Sequence, residues 1–241
     1  MKEIICEAGS SFHGLIGATQ LIYRAKEAGA NACKFQIYND RVIKQAPEKW
    51  QAHLKKVHLH KDAVETLLSI GKKVGIEVFF TVMFPEAVDW CEDLGVSRFK
   101  VRAADACNDS ILFKIRKTQK PCYVSRINKD SFDPIKQKNF FSIFYDKARP
   151  TKYADVFKGY SNLLKADGYS CHQPKLLGVM QTMMMPGIDY VEVHCSLDVR
   201  DKTLPDQAYS YPFTDVLELV LWLDILNKAS PRVSRPKFEL A

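Results

Sequence analysis

At 241 residues, with 46% hydrophobic and 26% charged content, the chain suits one large soluble domain that can bury a full core without covalent staples. No run approaches the roughly 20 apolar residues of a membrane span, and Met1 leads straight into strand-like IICEA, so the expectation is an unsecreted, cytoplasmic protein without a membrane partner. The formal charge of +7 comes from residues 113 to 152, where eleven Lys/Arg face three Asp; with no recognition motif beside it, a solvated face or an anionic metabolite explains this excess better than nucleic acid.

In chain order, short apolar, β-branched or aromatic runs occur at 3–8, 31–38, 76–82, 98–103, 121–126, 139–145, 166–171 and 189–195. Helical spacing fills the intervals at 17–29, 61–74, 85–94, 108–118, 153–165 and 174–185, and again at 213–228. Eight successive βα units predict a parallel (β/α)8 TIM barrel, an α/β fold, over residues 1–228. Gly29, Gly75 and Gly95 stand where helix C-caps belong, and Asn108 and Asp109 where an N-cap belongs. Two connections depart from the pattern. The polar, Pro134-bearing stretch 127–138 reads as a turn or distorted helix, and 39–59 as a long connection with a helical piece around PEKWQAHLKK, placed like a lid. Residues 229–241 read as a linker-like tail.

Seven cysteines form an odd set without any CxxC spacing, and Cys6, Cys33, Cys122, Cys171 and Cys195 sit in apolar runs. They read as reduced core thiols, with a reactive thiol at Cys171 or Cys195 as the alternative.

The chemistry is carried by polar residues at strand ends, which a barrel gathers into one pocket. They are Glu7, Lys34 with Gln36, Thr81, Lys100 with Arg102, Ser125, His172 and His194. Side chains alternate along a strand, so Lys34 and Gln36 share a face, as do Lys100 and Arg102, and Glu192 and His194. Singly, each reads as a snorkelling or ion-paired side chain. Jointly, two buried lysines with the hydroxyls of Thr81 and Ser125 predict a bound carboxylate or phosphate. His172 and His194 end neighbouring strands and could share a divalent ion with open positions for water and substrate. The histidines at 13, 53, 58 and 60 read as ordinary packing or surface residues.

The run Cys6-Glu7-Ala8-Gly9, followed by GANACKFQIY at 29–38, resembles the AEIG and GADAVKFQ signatures of the sialic acid synthase family. Further segments agree in order: GIEVFFTVMFPEAVDW, FKVRAADACNDSILFKI, KPCYVSR, GYSCH, VEVHCSLD and PDQAYS, so the resemblance runs from about residue 4 to 220. It implies condensation of phosphoenolpyruvate with an aldose, such as an N-acetylmannosamine-like sugar, to a 2-keto sugar acid and phosphate. By motif position, Lys34, Thr81, Lys100, Ser125 and Ser170 would hold the phosphoenolpyruvate anions, with Gln36 ordering the same pocket. His172 and His194 would hold the metal, Mn2+ or Mg2+. Glu7 and Asp206 would handle protons or water and orient the sugar.

Departures from the family pattern concern the sugar side. Ser10-Ser11-Phe12-His13-Gly14 replaces VNHNG, Arg102-Ala103 replaces a serine-bearing turn, and Lys147-Ala148-Arg149-Pro150 replaces an Asn/Tyr loop. Family members continue into an antifreeze-like domain whose arginine reaches a partner subunit's sugar site. The expectation is that no such domain follows here, that Lys147 and the guanidinium of Arg102 or Arg149 contact substrate instead, and that a homodimer is the assembly to test. A second reading stays open, a degenerate barrel that binds an anionic metabolite or partner without turnover, as does an unrelated aldolase or isomerase on the same fold.

Overall fold

Eight parallel strands close into a barrel in strict chain order: β1 Glu3–Gly9, β2 Ala32–Ile37, β3 Glu77–Val82, β4 Phe99–Val101, β5 Cys122–Arg126, β6 Phe140–Tyr145, β7 Gly168–Cys171 and β8 Tyr190–His194. The ring is completed by pairing of β8 with β1, with Glu7 opposite His194. This computed structural model describes residues 2–126, 139–145, 166–173 and 175–229. The stretches 127–138 and 153–165, the tail 230–241, and Lys147 with Arg149 lie outside the described residues.

Each expected strand run carries a strand whose ends fall within two residues of the expected ones. Strand β4 is the shortest because Arg102 leads into a 3-10 turn, Ala103–Asp105, that tips the chain over the barrel mouth. Among the described residues, the helices are α1 Gly14–Glu27, α2 Asp40–Gln45, α3 Glu48–Lys56, α4 Lys61–Val74, α5 Pro85–Asp93, α6 Asp109–Thr118, α7 Leu176–Met183 and α8 Phe213–Ala229. The long connection after β2 thus holds two short helices rather than one, split at Ala46-Pro47. Their starts and stops follow local chemistry. Asn39 and Asn108 accept the Val42 and Ile111 N–H groups at 3.2 and 3.3 Å, satisfying donors the first helical turn leaves free. Helix α4 stops at Gly75, whose φ of +78° a side chain would oppose, and whose N–H closes on the Gly71 carbonyl. Among the described residues, no helix is long and apolar enough to cross a membrane.

Alternation along each strand divides the barrel into two media. Outward positions such as Ile4, Phe35, Phe80, Phe99, Val124 and Val191 are fully buried against the helices, and they form the main core. Inward positions are largely polar. Near the N-terminal ends, Arg98 is 6% exposed and meets Glu77 through two nitrogens (3.0 and 2.6 Å) and Glu3 at 2.7 Å. Its guanidinium also lies 4.6 Å over the Phe79 ring. Those partners keep it charged despite burial. Tyr123 stacks on Phe141 and Tyr190 beside it, at centroid distances of 5.1 and 4.4 Å. The aliphatic layers common in such barrels are therefore replaced here by a salt-bridged and aromatic floor beneath the functional rim.

Gly168 opens β7 where this floor is tightest. A Cβ there would lie 2.6 Å from the Tyr190 carbonyl oxygen and 2.7 Å from Ile143 Cδ1. Gly168→Ala is expected to cost about 1–3 kcal/mol, because backbone must move to admit it. A denaturant midpoint equal to wild type would show that the sheet yields freely.

Candidate functional site

The C-terminal strand ends open into a cavity of about 490 Å³. Every described residue that the sequence singles out lines it: Glu7, Lys34, Gln36, Thr81, Lys100, Arg102, Ser125, Ser170, His172, His194 and Asp206. Register explains the convergence. Gln36 stands beside Thr81, Thr81 beside Lys100, Ser170 beside Glu192, and Glu7 beside both Lys34 and His194.

The lysines are 1% and 3% exposed, and their partners belong to the protein. Lys34 Nζ donates to Glu7 Oε2 and to Thr81 Oγ1 (2.7 Å), and Lys100 Nζ donates to Ser125 Oγ (2.7 Å) with Glu192 Oε2 at 3.3 Å. Glu7 and Glu192 thus supply negative charge to both ammonium groups from within the protein. Glu7 is fixed from its other side by the Gly9 N–H, 2.6 Å from Oε1. That bond needs the turn Gly9 makes at φ +54°, where β1 also loses register against β2. Burial lowers the Lys34 pKa to about 7, with Lys100 adding to the fall and Glu192 opposing it. Glu192 is held below the ordinary carboxylate range: Lys100, Lys34 and the Tyr190 hydroxyl outweigh its burial, the largest single effect. Among the charged groups of the described lining, Lys34, Lys100 and Arg102 balance Glu7, Glu192 and Asp206, three against three.

The two imidazoles meet at the cavity wall, with Nε2 of His172 and Nε2 of His194 3.3 Å apart. His172 Nδ1 lies 3.2 Å from the Ser170 carbonyl oxygen, so the network assigns its proton to Nδ1 and presents Nε2 as an acceptor. If His194 donates to it, His194 Nδ1 becomes a buried acceptor with no hydrogen bond. If His194 instead carries its proton on Nδ1, toward Asp206 Oδ2 at 3.9 Å, two lone pairs face one point. Their separation is what two imidazoles have when they share an ion at bonds of about 2.0–2.1 Å. The residues therefore fit a divalent cation. Among the described residues no set of three or more His, Cys, Asp or Glu side chains is placed to hold a metal, so the remaining positions would face the cavity.

Burial, first of all, lowers both histidines from an ordinary pKa near 6.5 to about 3; His194 adds to the fall at His172, Lys34 and Lys100 add to it at His194, and Glu192 opposes both shifts. The sign of the stability effect follows. Below pH 6.5 the unfolded chain binds protons that the folded protein refuses, so stability is full above 6.5 and falls as pH drops from 6.5 toward 3. The urea midpoint is expected to fall steadily between pH 6.5 and 4, and less steeply in the His172→Gln, His194→Gln double variant. Equal slopes would contradict the neutral assignment.

Asp206 sits beside the imidazoles in a left-handed conformation, φ +66°, at the start of the 3-10 turn Gln207–Tyr209, with Oδ2 3.9 Å from His194 Nδ1. Desolvation raises its pKa, and the Tyr209 hydroxyl, donating to Oδ1, limits the rise. Tyr209 covers both imidazoles with ring centroids 4.9 and 5.0 Å away. Arg102 is pinned to Asp105 at the rim, Nε to Oδ2 at 2.5 Å. Tyr209 lines the cavity beyond the residues named from sequence, Tyr190 and Asp105 support it from outside the lining, and Glu192 joins it. Only Glu192 had a local signal, its place on the face of His194. The described part of the basic stretch lies elsewhere: Lys114 pairs with Asp89 and Lys120 with Glu92 on the outer helices, a solvated face. Six of the seven free thiols are buried, and burial pushes the Cys195 thiol far up, against a nucleophilic role.

Residues 21–127 match the NeuB family. The chain is 26% identical over 240 residues to an uncharacterized protein of Methanocaldococcus jannaschii, covering 93% of this chain and 71% of that one. It is 27% identical over 257 residues to the N-acetylneuraminate-9-phosphate synthase of Mus musculus, covering 94% and 70%. The N-acetylneuraminic acid synthetase of Leptospira borgpetersenii, solved in complex with citrate, superposes with a TM-score of 0.83 over 97% of this chain and 87% of that one. At 22% identity this last likeness speaks to fold. The NeuB match over residues 21–127 and the synthase relative agree in kind, so the chain is similar to sialic acid synthases in sequence, and it shares their barrel.

Proposed function

We propose that the protein condenses phosphoenolpyruvate with an aldose, N-acetylmannosamine-like in class, to a 2-keto sugar acid and phosphate, in the cytoplasm and with bound Mn2+ or Mg2+. The observation that carries this reading is the meeting of two neutral imidazoles, 3.3 Å apart, on the cavity that also holds Lys34 and Lys100. In the reaction, C3 of phosphoenolpyruvate forms a bond to the aldehyde carbon, the aldehyde oxygen takes a proton, water adds at C2, and phosphate leaves.

His172 and His194 would hold the metal, which supplies Lewis-acid polarisation and two positive charges to a lining otherwise in balance. Lys34, Lys100, Thr81, Ser125 and Ser170 would clasp the carboxylate and phosphate by charge-assisted hydrogen bonds. Gln36, between Gly9 and Thr81, would order that clasp. Asp206, its pKa raised, can carry a proton at the lip and deliver it to the aldehyde oxygen. Glu7 accepts from two donors and suits the orientation of water. Arg102 reaches the rim where the sugar would enter. Holding both reactants together removes much of the entropic barrier.

Binding without turnover is the second reading, favoured by the altered sugar side, where Ser10-Ser11-Phe12-His13-Gly14 and Arg102-Ala103 depart from the synthase pattern. An assay of phosphate release from phosphoenolpyruvate with Mn2+ and a panel of aldoses separates the two. Release that needs both sugar and metal supports the synthase. Silence across the panel, with thermal stabilisation by phosphoenolpyruvate, supports binding alone.

A further inference from the structure

We propose that Tyr190 is a positioning residue: its hydroxyl parks the Glu192 carboxylate on the barrel axis so that Lys34 and Lys100 remain available to an anionic substrate. The inference rests on the anion-binding reading of the cavity and assigns a role to a residue below it.

Tyr190, Glu192 and His194 form one inward row on β8. Tyr190 is 2% exposed, and its ring is stacked on Tyr123, whose hydroxyl accepts from Arg98 Nη1 at 3.3 Å. Arg98 is in turn held by Glu3 and Glu77. The phenol is thus set from beneath by a rigid floor. Burial, with the adjacent Glu192 charge, pushes its pKa well up, so it stays a donor.

Around Glu192, distance separates neutral from charged partners. The Tyr190 hydroxyl donates to Oε2 in a short bond, and Ser170 Oγ donates to Oε1 at 2.9 Å. The ammonium groups stand back: Lys100 Nζ is 3.4 and 3.3 Å from the two oxygens, and Lys34 Nζ is 3.7 Å from Oε2. A free ammonium–carboxylate pair would close to about 2.7–2.9 Å. Two hydroxyls therefore hold the carboxylate down, and the lysines keep N–H capacity toward the cavity. Without the Tyr190 hydroxyl, Glu192 would rise, close on Lys100 and compete with the incoming anion.

Tyr190→Phe keeps the ring stack and removes only the hydroxyl. Calorimetric titration with inorganic phosphate and with phosphoenolpyruvate, in Mn2+, is expected to show affinity weakened about tenfold. The phosphoenolpyruvate KM should rise in parallel with kcat within about twofold, because uniform binding is what is lost. In a Glu192→Gln background, the same Tyr190→Phe change is expected to leave affinity within about twofold, since the competing charge is gone. A crystal structure of Tyr190→Phe should show Lys100 and Glu192 in direct contact, a readout that stands even if the double variant fails to fold. Unchanged affinity in Tyr190→Phe, an equal loss in both backgrounds, or an unmoved Glu192 overturns the inference while leaving the anion site intact. Failure of the wild-type protein to bind either anion overturns the site itself and this role with it.

Discussion

His194→Ala is expected to weaken Mn2+ affinity by a hundredfold or more, roughly, since loss of even an outer partner of a ligating imidazole costs about 10–100-fold. Turnover is expected to fall by about a thousandfold, equivalent to roughly 4 kcal/mol of lost transition-state stabilisation. The side chain is 5% exposed and meets His172 at 3.3 Å, so one imidazole would remain facing the cavity. His194→Gln fills the space and serves as the folding control. Metal titration and the phosphate-release assay give the two numbers. Retained metal affinity with lost turnover would move His194 from ligand to acid–base group.

The second large effect concerns Lys34. It is buried, and it neutralises Glu7 from one side and faces Glu192 from another. Lys34→Met removes the cation and leaves a buried carboxylate without its partner, a change that costs about 3–5 kcal/mol. Adding Glu7→Gln should recover most of that stability, because neither charge is then stranded. Anion binding and turnover should stay lost in the double variant, since the clasp has gone. Urea midpoints and phosphate titrations on the single and double variants separate the structural role of the pair from its functional one. Recovery of binding together with stability would show that Lys34 serves the fold alone.

The barrel was legible because each strand is a short apolar run bounded by polar helix, and the eight runs recur with enough chain between them for a crossover. The early end of strand β4 and the Ala46-Pro47 break resist such reading, because a 3-10 turn and a two-residue interruption lie below the resolution of periodicity. The rim was legible for another reason. Lys34, Lys100, His172 and His194 are residue types that do not sit on buried strand faces without a purpose, and barrel geometry gathers strand ends.

Pairing was not legible. Alternation states which face a side chain takes, and Glu192 shares that of His194, but only closure of the ring brings Glu192 within reach of Lys100 from across the barrel. Arg98 is the same case: the sequence shows a lone cation before β4, while three-dimensional register supplies Glu3 from β1 and Glu77 from β3. Tyr190 and Tyr123 look like ordinary strand aromatics until the floor they form is seen beneath the site. Polar partners chosen by long-range closure leave no local pattern.

On the proposed function, one cavity would hold a divalent ion between two imidazoles beside a lysine-clasped anion. A crystal structure of the protein with Mn2+ and phosphoenolpyruvate, phased for anomalous signal, tests it most directly. A single manganese peak is expected within bonding distance of Nε2 of both His172 and His194, with the phosphoenolpyruvate anions on Lys34 and Lys100. Manganese elsewhere, or an anion bound away from both lysines, would contradict it.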